Sequence, residues 1–89
     1  MRKIVTEQSF LKDWKKLEKK HYNKQALLDI VQLLAEDAYL PGRYHDHALL
    51  GDWQGFRECH IRPDWLLIYR RTPTEIILVA TGTHDDLFE

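Results

Sequence analysis

Three runs of β-forming residues with very short connections constrain the fold more than any other feature of this chain. The runs cover residues 53–61, 65–70 and 75–81, and each contains β-branched or aromatic side chains. Only residues 62–64 separate the first two runs, and a proline-containing turn at 72–74 separates the last two. Because a parallel pair needs a crossover of roughly a dozen residues or more, the pattern predicts an antiparallel meander.

Two amphipathic helices are predicted before these strands. After a short predicted strand at 2–5, Thr6 is expected to cap the first helix. The apolar stripe of that helix consists of Phe10, Leu11, Trp14 and Leu17. The second helix is expected to start after the cap residue Asn23 and to run to about residue 37, and a loop follows at 41–51. Since an apolar sheet cannot leave both faces in water, the sequence predicts an α+β fold with two N-terminal helices packed on a small antiparallel sheet.

Length and composition predict one folded domain that spans residues 1–89. The chain is 44% hydrophobic and 30% charged, which is typical of globular proteins rather than disordered ones. No apolar run approaches the roughly 20 residues of a membrane helix, and residues 1–20 lack the apolar segment of a signal peptide. The single cysteine, Cys59, cannot form an internal disulfide and is expected to be a buried thiol. We therefore expect a cytoplasmic protein.

The net charge of −1 conceals an uneven distribution. Residues 1–24 hold eight Lys or Arg against three Asp or Glu, which gives +5, whereas residues 25–89 hold five against eleven, which gives −6. The excess of positive charge lies on the first predicted helix, at Lys12, Lys15, Lys16, Lys19 and Lys20. These lysines are either a phosphate-binding face or a solvated helix surface.

The side chains best suited to proton transfer lie around the predicted hairpin. They are His47 in the loop before it, His60 on its first strand, Asp64 in its connection and His84 just after the sheet. An imidazole has an unperturbed pKa of about 6.5, so it can act as base or acid near neutrality. Two such groups could move protons to and from an RNA ribose phosphate without a metal. Strand alternation places Glu58 beside His60, and Arg57 and Arg62 are candidates to stabilise phosphate charge.

Four ordered blocks of this sequence resemble a known family. The blocks cover residues 45–51, 53–61, 63–69 and 81–88. They look like the YafQ-like branch of the RelE/ParE superfamily, which contains bacterial type II toxins that cleave messenger RNA and are silenced by a cognate antitoxin. The first 40 residues share only the arrangement of two helices. The resemblance implies a small RelE-like α+β fold and an endoribonuclease that acts on mRNA at the ribosome.

The resemblance also implies roles for individual residues. His47, His60, Asp64 and His84 would form the catalytic set. His84 would donate a proton to the leaving 5′-oxygen, and His47 or His60, with Asp64, would activate the 2′-hydroxyl, so that cleavage leaves a 2′,3′-cyclic phosphate. The expected substrate contacts are Glu58, Arg57, Arg62, Trp65 and Phe88, where the two aromatic rings would either stack on a base or simply pack. No cofactor or metal is implied, and the implied partner is an acidic antitoxin that is partly disordered when free.

Two other function classes stay open at this point. A metal-dependent nuclease could use His45, Asp46 and His47 as ligands, although alternate loop residues are a poor zinc pattern. A ParE-like toxin would instead grip a protein target such as a topoisomerase. That activity would not need three histidines and an acid at the family positions.

Overall fold

A five-stranded mixed sheet with the two longer helices on one face forms the framework of the protein, as described for residues 1–88 of a computed structural model. The strands are β1 (Lys3–Thr6), β2 (His47–Ala48), β3 (Arg57–Arg62), β4 (Trp65–Arg71) and β5 (Glu75–Gly82). The helices are α1 (Gln8–Lys19), α2 (Lys24–Ala35) and α3 (His84–Phe88). The strand order is β1-β5-β4-β3-β2. The predicted α+β class is confirmed.

The predicted antiparallel meander is confirmed as β3, β4 and β5, and two edge strands extend it. The prediction of a purely antiparallel sheet was wrong, because β1 pairs with β5 in parallel. The long segment between them, which contains both N-terminal helices, supplies the crossover that parallel pairing needs. β2 lies in the segment predicted as a loop and pairs with β3. The strand predicted at 53–61 starts later than expected, at Arg57, because Gly51–Trp53 forms a 3₁₀ turn.

The structure confirms one of the two predicted N-caps and contradicts the other. The Asn23 side chain accepts a hydrogen bond from the Ala26 amide at 3.1 Å, as the cap prediction requires. Thr6 does not cap α1, because it is the last residue of β1 and pairs with Leu78 of β5. Glu7 occupies the N-cap position instead, without a side-chain cap bond. α1 therefore begins directly where the edge strand ends.

The main core lies between the sheet and the helices α1 and α2. Its buried residues include Phe10, Leu17, Leu27, Ile30, Leu34, Cys59, Leu67, Tyr69, Ile76 and Leu78. Leu11 was predicted to belong to this core, but it is 45% exposed. Cys59 is fully buried, as predicted, and burial raises the pKa of its thiol, which keeps it protonated and unreactive.

The opposite sheet face carries a smaller apolar cluster and leaves room for polar groups. Ile68, Val79 and Ala80 form that cluster under residues from the 49–56 segment and from α3. Glu58 pairs with Ile68 in register, so its side chain points to this same face. We call this side of the sheet the site face. Within residues 1–88, no helix is both long and apolar enough to cross a membrane.

Candidate active site

Glu58 lies between two imidazoles on the site face. It pairs with His47 across β2 and β3, and His60 follows it by two residues on β3, so all three side chains share one face. The carboxylate oxygen Oε1 of Glu58 lies 3.5 Å from Nε2 of each ring. The Glu58 side chain is 8% exposed, whereas His47 is 50% and His60 is 26% exposed. The carboxylate is thus sheltered, and both imidazoles can be reached from solvent.

The second ring nitrogen of each histidine faces a backbone carbonyl. Nδ1 of His47 lies 2.6 Å from the carbonyl oxygen of His45, and Nδ1 of His60 lies 3.3 Å from that of Pro63. A carbonyl can only accept a hydrogen bond, so each Nδ1 must carry the proton in these contacts. Nε2 is therefore the nitrogen that gains or loses a proton in each ring. Both of these nitrogens meet at Glu58, which makes the His47–Glu58–His60 cluster a place where protons can be exchanged.

A partly buried polar network anchors the segment that carries His47. The Tyr69 hydroxyl donates to Oδ1 of Asp46 at 2.6 Å, and Nη2 of Arg57 donates to Oδ2 of the same carboxylate at 3.2 Å. Arg57 also donates from Nε to the Tyr69 hydroxyl at 3.4 Å. Burial is the main cause that raises the pKa of Tyr69, and the Asp46 hydrogen bond adds to it, so Tyr69 stays protonated and donates. The residue between His45 and His47 is thereby fixed to the central strand β4.

This network changes the roles expected for Arg57 and for Asp46, which the sequence offered only as a candidate metal ligand, and it adds Tyr69, which the sequence argument missed. Arg57 pairs in register with Tyr69, so its side chain is on the helix side of the sheet, away from His60. We conclude that Arg57 positions the 45–47 segment rather than contacting substrate. Nothing in the sequence indicated that Asp46 and Tyr69 pair, because a loop aspartate and a strand tyrosine are ordinary residues until the fold joins them.

Trp65 also differs from its predicted role as a substrate contact. It is 3% exposed, its ring stacks on Trp14 with centroids 6.2 Å apart, and the edge of Tyr22 lies 5.0 Å away. Its Nε1 donates to Oγ1 of Thr81 at 2.9 Å. No face of this ring is left for a base, so Trp65 is a core residue. Arg62 is exposed at the end of β3.

Asp64 and His84 meet through the backbone at the hairpin end of the sheet. Oδ1 of Asp64 accepts a hydrogen bond from the backbone amide of His84 at 3.2 Å. Leu66 of β4 pairs with His60 of β3 on one side and with Gly82 of β5 on the other. His60 and Gly82 are therefore two strand spacings apart, or about 10 Å. His84 follows Gly82 by two residues. The structure thus forms two groups, the His47–Glu58–His60 cluster and the Asp64–His84 pair, at the same end of the sheet.

A capping box fixes the start of α3, where His84 is the first residue. The Asp86 amide donates to Oγ1 of Thr83 at 3.1 Å, and the Thr83 amide donates to Oδ2 of Asp86 at 3.0 Å. The backbone hydrogen bond from Thr83 is the main cause that lowers the pKa of Asp86. The positive charges of Lys20 and Lys16 lower it further. The Thr-x-x-Asp spacing at 83–86 was the sequence signal that could have revealed this short helix.

Aromatic rings continue from His84 across the site face. The His84 and Phe88 rings are 5.1 Å apart, and Phe88 is 6.0 Å from Trp53. Trp53 in turn meets the edge of Phe56 at 5.4 Å. Phe88 is 37% exposed, so part of its ring faces solvent. Trp53 was predicted only as a strand residue, and its place beside Phe88 follows from the turn at 51–53.

The residues named for a metal-dependent nuclease do not converge. Both oxygens of Asp46 are engaged by Tyr69 and Arg57, which turns this carboxylate away from its histidine neighbours. In the part of the chain that the structure describes, no group of three or more His, Cys, Asp or Glu side chains is arranged to hold a metal ion.

A small α+β domain with proton-transfer groups on one sheet face is the architecture of a class of bacterial toxins. Residues 2–89 match the family described as bacterial toxin of type II toxin-antitoxin system, YafQ. The chain belongs to this YafQ toxin family.

Individual relatives agree with the family match. The mRNA interferase toxin YafQ of Escherichia coli strain K12 is 40% identical over 80 residues, which cover 89% of this chain and 87% of that protein. The crystal structure of the E. coli DinJ-YafQ complex contains a chain with 38% identity and a TM-score of 0.92, and the match covers 100% of both chains. A copper-bound mutant toxin from Helicobacter pylori has 39% identity and a TM-score of 0.94, with 99% and 100% covered.

The hydrogen bond from the Tyr69 hydroxyl to Asp46, called here the anchor, predicts that Tyr69→Phe lowers the stability of the fold. The variant loses the hydroxyl that donates to a carboxylate, and hydrogen bonds to charged groups contribute about 1.5 to 3 kcal/mol. We expect the free energy of unfolding to fall by that amount in urea titrations. The matched control is Tyr39→Phe, because Tyr39 is 94% exposed and its hydroxyl has no role in the core. Equal stability of the two variants would show that the anchor contributes nothing.

Proposed function

We propose that this toxin is an mRNA interferase, an endoribonuclease that cleaves messenger RNA by metal-independent acid-base catalysis. The observation that carries the proposal is the convergence of two accessible imidazole Nε2 atoms on the sheltered carboxylate of Glu58. The E. coli relative named an mRNA interferase toxin supports the same activity. ParE-like binding of a protein target gains no support from this cluster, because gripping a protein requires no proton exchange.

In the proposed reaction the ribose 2′-oxygen attacks the neighbouring phosphorus. One imidazole of the His47–Glu58–His60 cluster takes the 2′-hydroxyl proton at Nε2 as the new P–O bond forms. The bond from phosphorus to the 5′-oxygen breaks, and His84 gives that oxygen a proton. The products are a 2′,3′-cyclic phosphate and a 5′-hydroxyl end. The cluster then releases its extra proton to solvent and His84 takes one up from solvent, which restores both groups to their starting state.

The remaining predicted site residues have supporting roles in this proposal. Asp64 orients the start of α3, and so His84, through the backbone amide it binds. Arg62 is exposed beside His60 and stabilises the charge on the phosphate oxygens. The exposed part of the Phe88 ring stacks on a base of single-stranded RNA. We further propose that in the cell cleavage takes place in the cytoplasm, on mRNA bound to the ribosome, while the chemistry itself needs only single-stranded RNA.

The partner in this proposal is a cognate antitoxin, as a toxin-antitoxin family requires. The DinJ-YafQ complex is the corresponding assembly of an E. coli relative. The basic face of α1, defined here as Lys12, Lys16 and Lys19, is exposed, and one side of this helix reaches α3, where Lys16 and Lys20 influence Asp86. An acidic antitoxin segment that is disordered when free can fold across this face and cover the active site.

The first test of the proposal is RNA cleavage in excess chelator. The purified toxin should cut single-stranded RNA at an undiminished rate, because the proposed proton transfers use side chains alone, and the 5′ fragment should end in a 2′,3′-cyclic phosphate. Fragment ends are mapped by mass spectrometry. Cleavage of a matched strand with 2′-deoxyribose at the cut site would exclude attack by the 2′-hydroxyl. Loss of cleavage in chelator, restored by a metal salt, would make the toxin a metal-dependent nuclease.

His84→Ala should reduce kcat by about 10²- to 10⁴-fold, since it removes the general acid. The substitution keeps the backbone amide that binds Asp64, and the His84 side chain is exposed, so the thermal midpoint should change little. Asp85→Ala is the matched control, because Asp85 is an exposed neighbour on α3 with no assigned role. If His84→Ala cleaves RNA as fast as Asp85→Ala, His84 is not the proton donor.

The basic face of α1 predicts a salt-dependent encounter with the antitoxin. A triple alanine variant of Lys12, Lys16 and Lys19 should associate more slowly than the wild type, with a weaker dependence on ionic strength, because long-range attraction is screened by salt. Stopped-flow measurements over a range of salt concentrations give both values. The control removes three other exposed positive charges, Lys3, Lys24 and Arg71. Identical salt slopes for the two triple variants would leave α1 as a solvated surface.

A further inference from the structure

A cavity of about 740 Å³ opens directly beside the two imidazoles of the cluster. Both imidazoles line it, together with Arg43, Tyr44, His45 and Arg62. Pockets that bind small ligands have volumes of roughly 300 to 1,000 Å³, so this cavity can hold a nucleotide.

The charge of this cavity favours an anionic ligand. Two arginines and three histidines line it, and no Asp or Glu is among its lining residues in the described part of the chain. This contrasts with residues 25–89 as a whole, which carry a net charge of −6. A concentration of positive charge in a concave site attracts phosphate groups.

Arg43 is held in a geometry suited to such a ligand before any ligand binds. Its Cζ lies 4.7 Å from the centre of the Tyr44 ring, and its Nη2 donates to the Tyr44 hydroxyl at 2.7 Å. Tyr44 itself packs against the main core, so the guanidinium lies over a ring that is held in place. Much of the entropy cost of ordering this long side chain is therefore met before a ligand binds, and a guanidinium has further N–H groups with which to bind one.

His45 connects Arg43 and Tyr44 to the imidazoles of His47 and His60. It adopts a left-handed backbone conformation, with φ of 47°, at the end of the 3₁₀ turn Gly42–Tyr44. Its ring meets the edge of His60 with centroids 5.3 Å apart, and its carbonyl oxygen holds Nδ1 of His47. A ligand bound against Arg43 and Tyr44 would therefore be held at a fixed position relative to both imidazoles.

We infer that Arg43, Tyr44 and His45 form an RNA subsite that binds the nucleotide next to the cleaved bond. Its phosphate lies between Arg43 and Arg62, while the scissile phosphate occupies the position above His47 and His60. That the bound nucleotide is a neighbour of the cleaved bond rests on the proposed ribonuclease function. The binding of single-stranded RNA at this cavity does not.

The test measures binding of a fully 2′-O-methylated RNA oligonucleotide, which no 2′-hydroxyl mechanism can cleave. Arg43→Gln should raise its Kd by about tenfold, the value of one charge-assisted contact. It should also make the salt dependence less steep, by about 0.7 in the slope of log K against log salt for one lost phosphate contact on a single strand. Arg71→Gln, which removes an exposed charge at the far end of β4, should bind like the wild type. Tyr44→Phe keeps the ring but loses the hydroxyl anchor, and it should weaken binding about threefold.

Cleavage kinetics separate this subsite from the catalytic proposal. Arg43→Gln should raise KM on a longer RNA substrate and change kcat less than about twofold, because the residue binds a neighbouring nucleotide. Arg43-dependent binding by a toxin that fails to cleave RNA would overturn the proposed function and leave the subsite standing. Equal Kd values and salt slopes for the Arg43 and Arg71 variants would overturn the subsite. A drop in kcat at constant KM for Arg43→Gln would also overturn the subsite. A loss of antitoxin affinity with intact RNA binding would overturn it as well, and would assign the cavity to the protein partner.

Discussion

The hydrogen bonds to Asp46 are the interaction on which the site depends. Asp46 lies in the segment between α2 and β3, and two side chains from different strands, Tyr69 and Arg57, bind both of its oxygens. Because this carboxylate is fixed, His45 and His47 on either side of it are fixed as well. β2 is only two residues long, and its pairing alone would hold His47 weakly. A partly buried polar network thus supplies the rigidity that the proposed role of His47 needs.

One face of the sheet carries the main core, and the other carries the groups proposed for catalysis. The helices α1 and α2 cover one face with a dry core, which also absorbs Trp65 and Cys59. The other face is only partly covered, so Glu58 can be sheltered while His47 and His60 stay accessible. A carboxylate in such a position would be costly without partners, and the imidazoles on either side provide them. The same face therefore combines a stable sheet with groups that exchange protons.

The proposed ribonuclease and its RNA subsite draw on one continuous surface. The cavity lined by Arg43 and Arg62 adjoins the imidazole cluster, and Phe88 lies on the other side, next to His84. Single-stranded RNA would then pass over a cation, the reacting groups and an aromatic ring in turn. A net charge near zero is compatible with this arrangement, because the relevant positive charge is concentrated where the phosphates bind.

The sequence by itself determined the α+β class, the meander and both N-terminal helices, because hydrophobic periodicity and short connections are local signals. The family followed separately, from the resemblance of four ordered sequence blocks to its members. The sequence also identified the histidines, since few side chains exchange protons at neutral pH. Only the tertiary structure decided that β1 runs parallel to β5, that His47 lies on a strand beside Glu58, and that Arg57 and Trp65 face the core side of the sheet. These outcomes depend on contacts between segments far apart in the chain. A two-residue strand and a partly buried aspartate have no periodic pattern, so their partners are defined only when the sheet assembles.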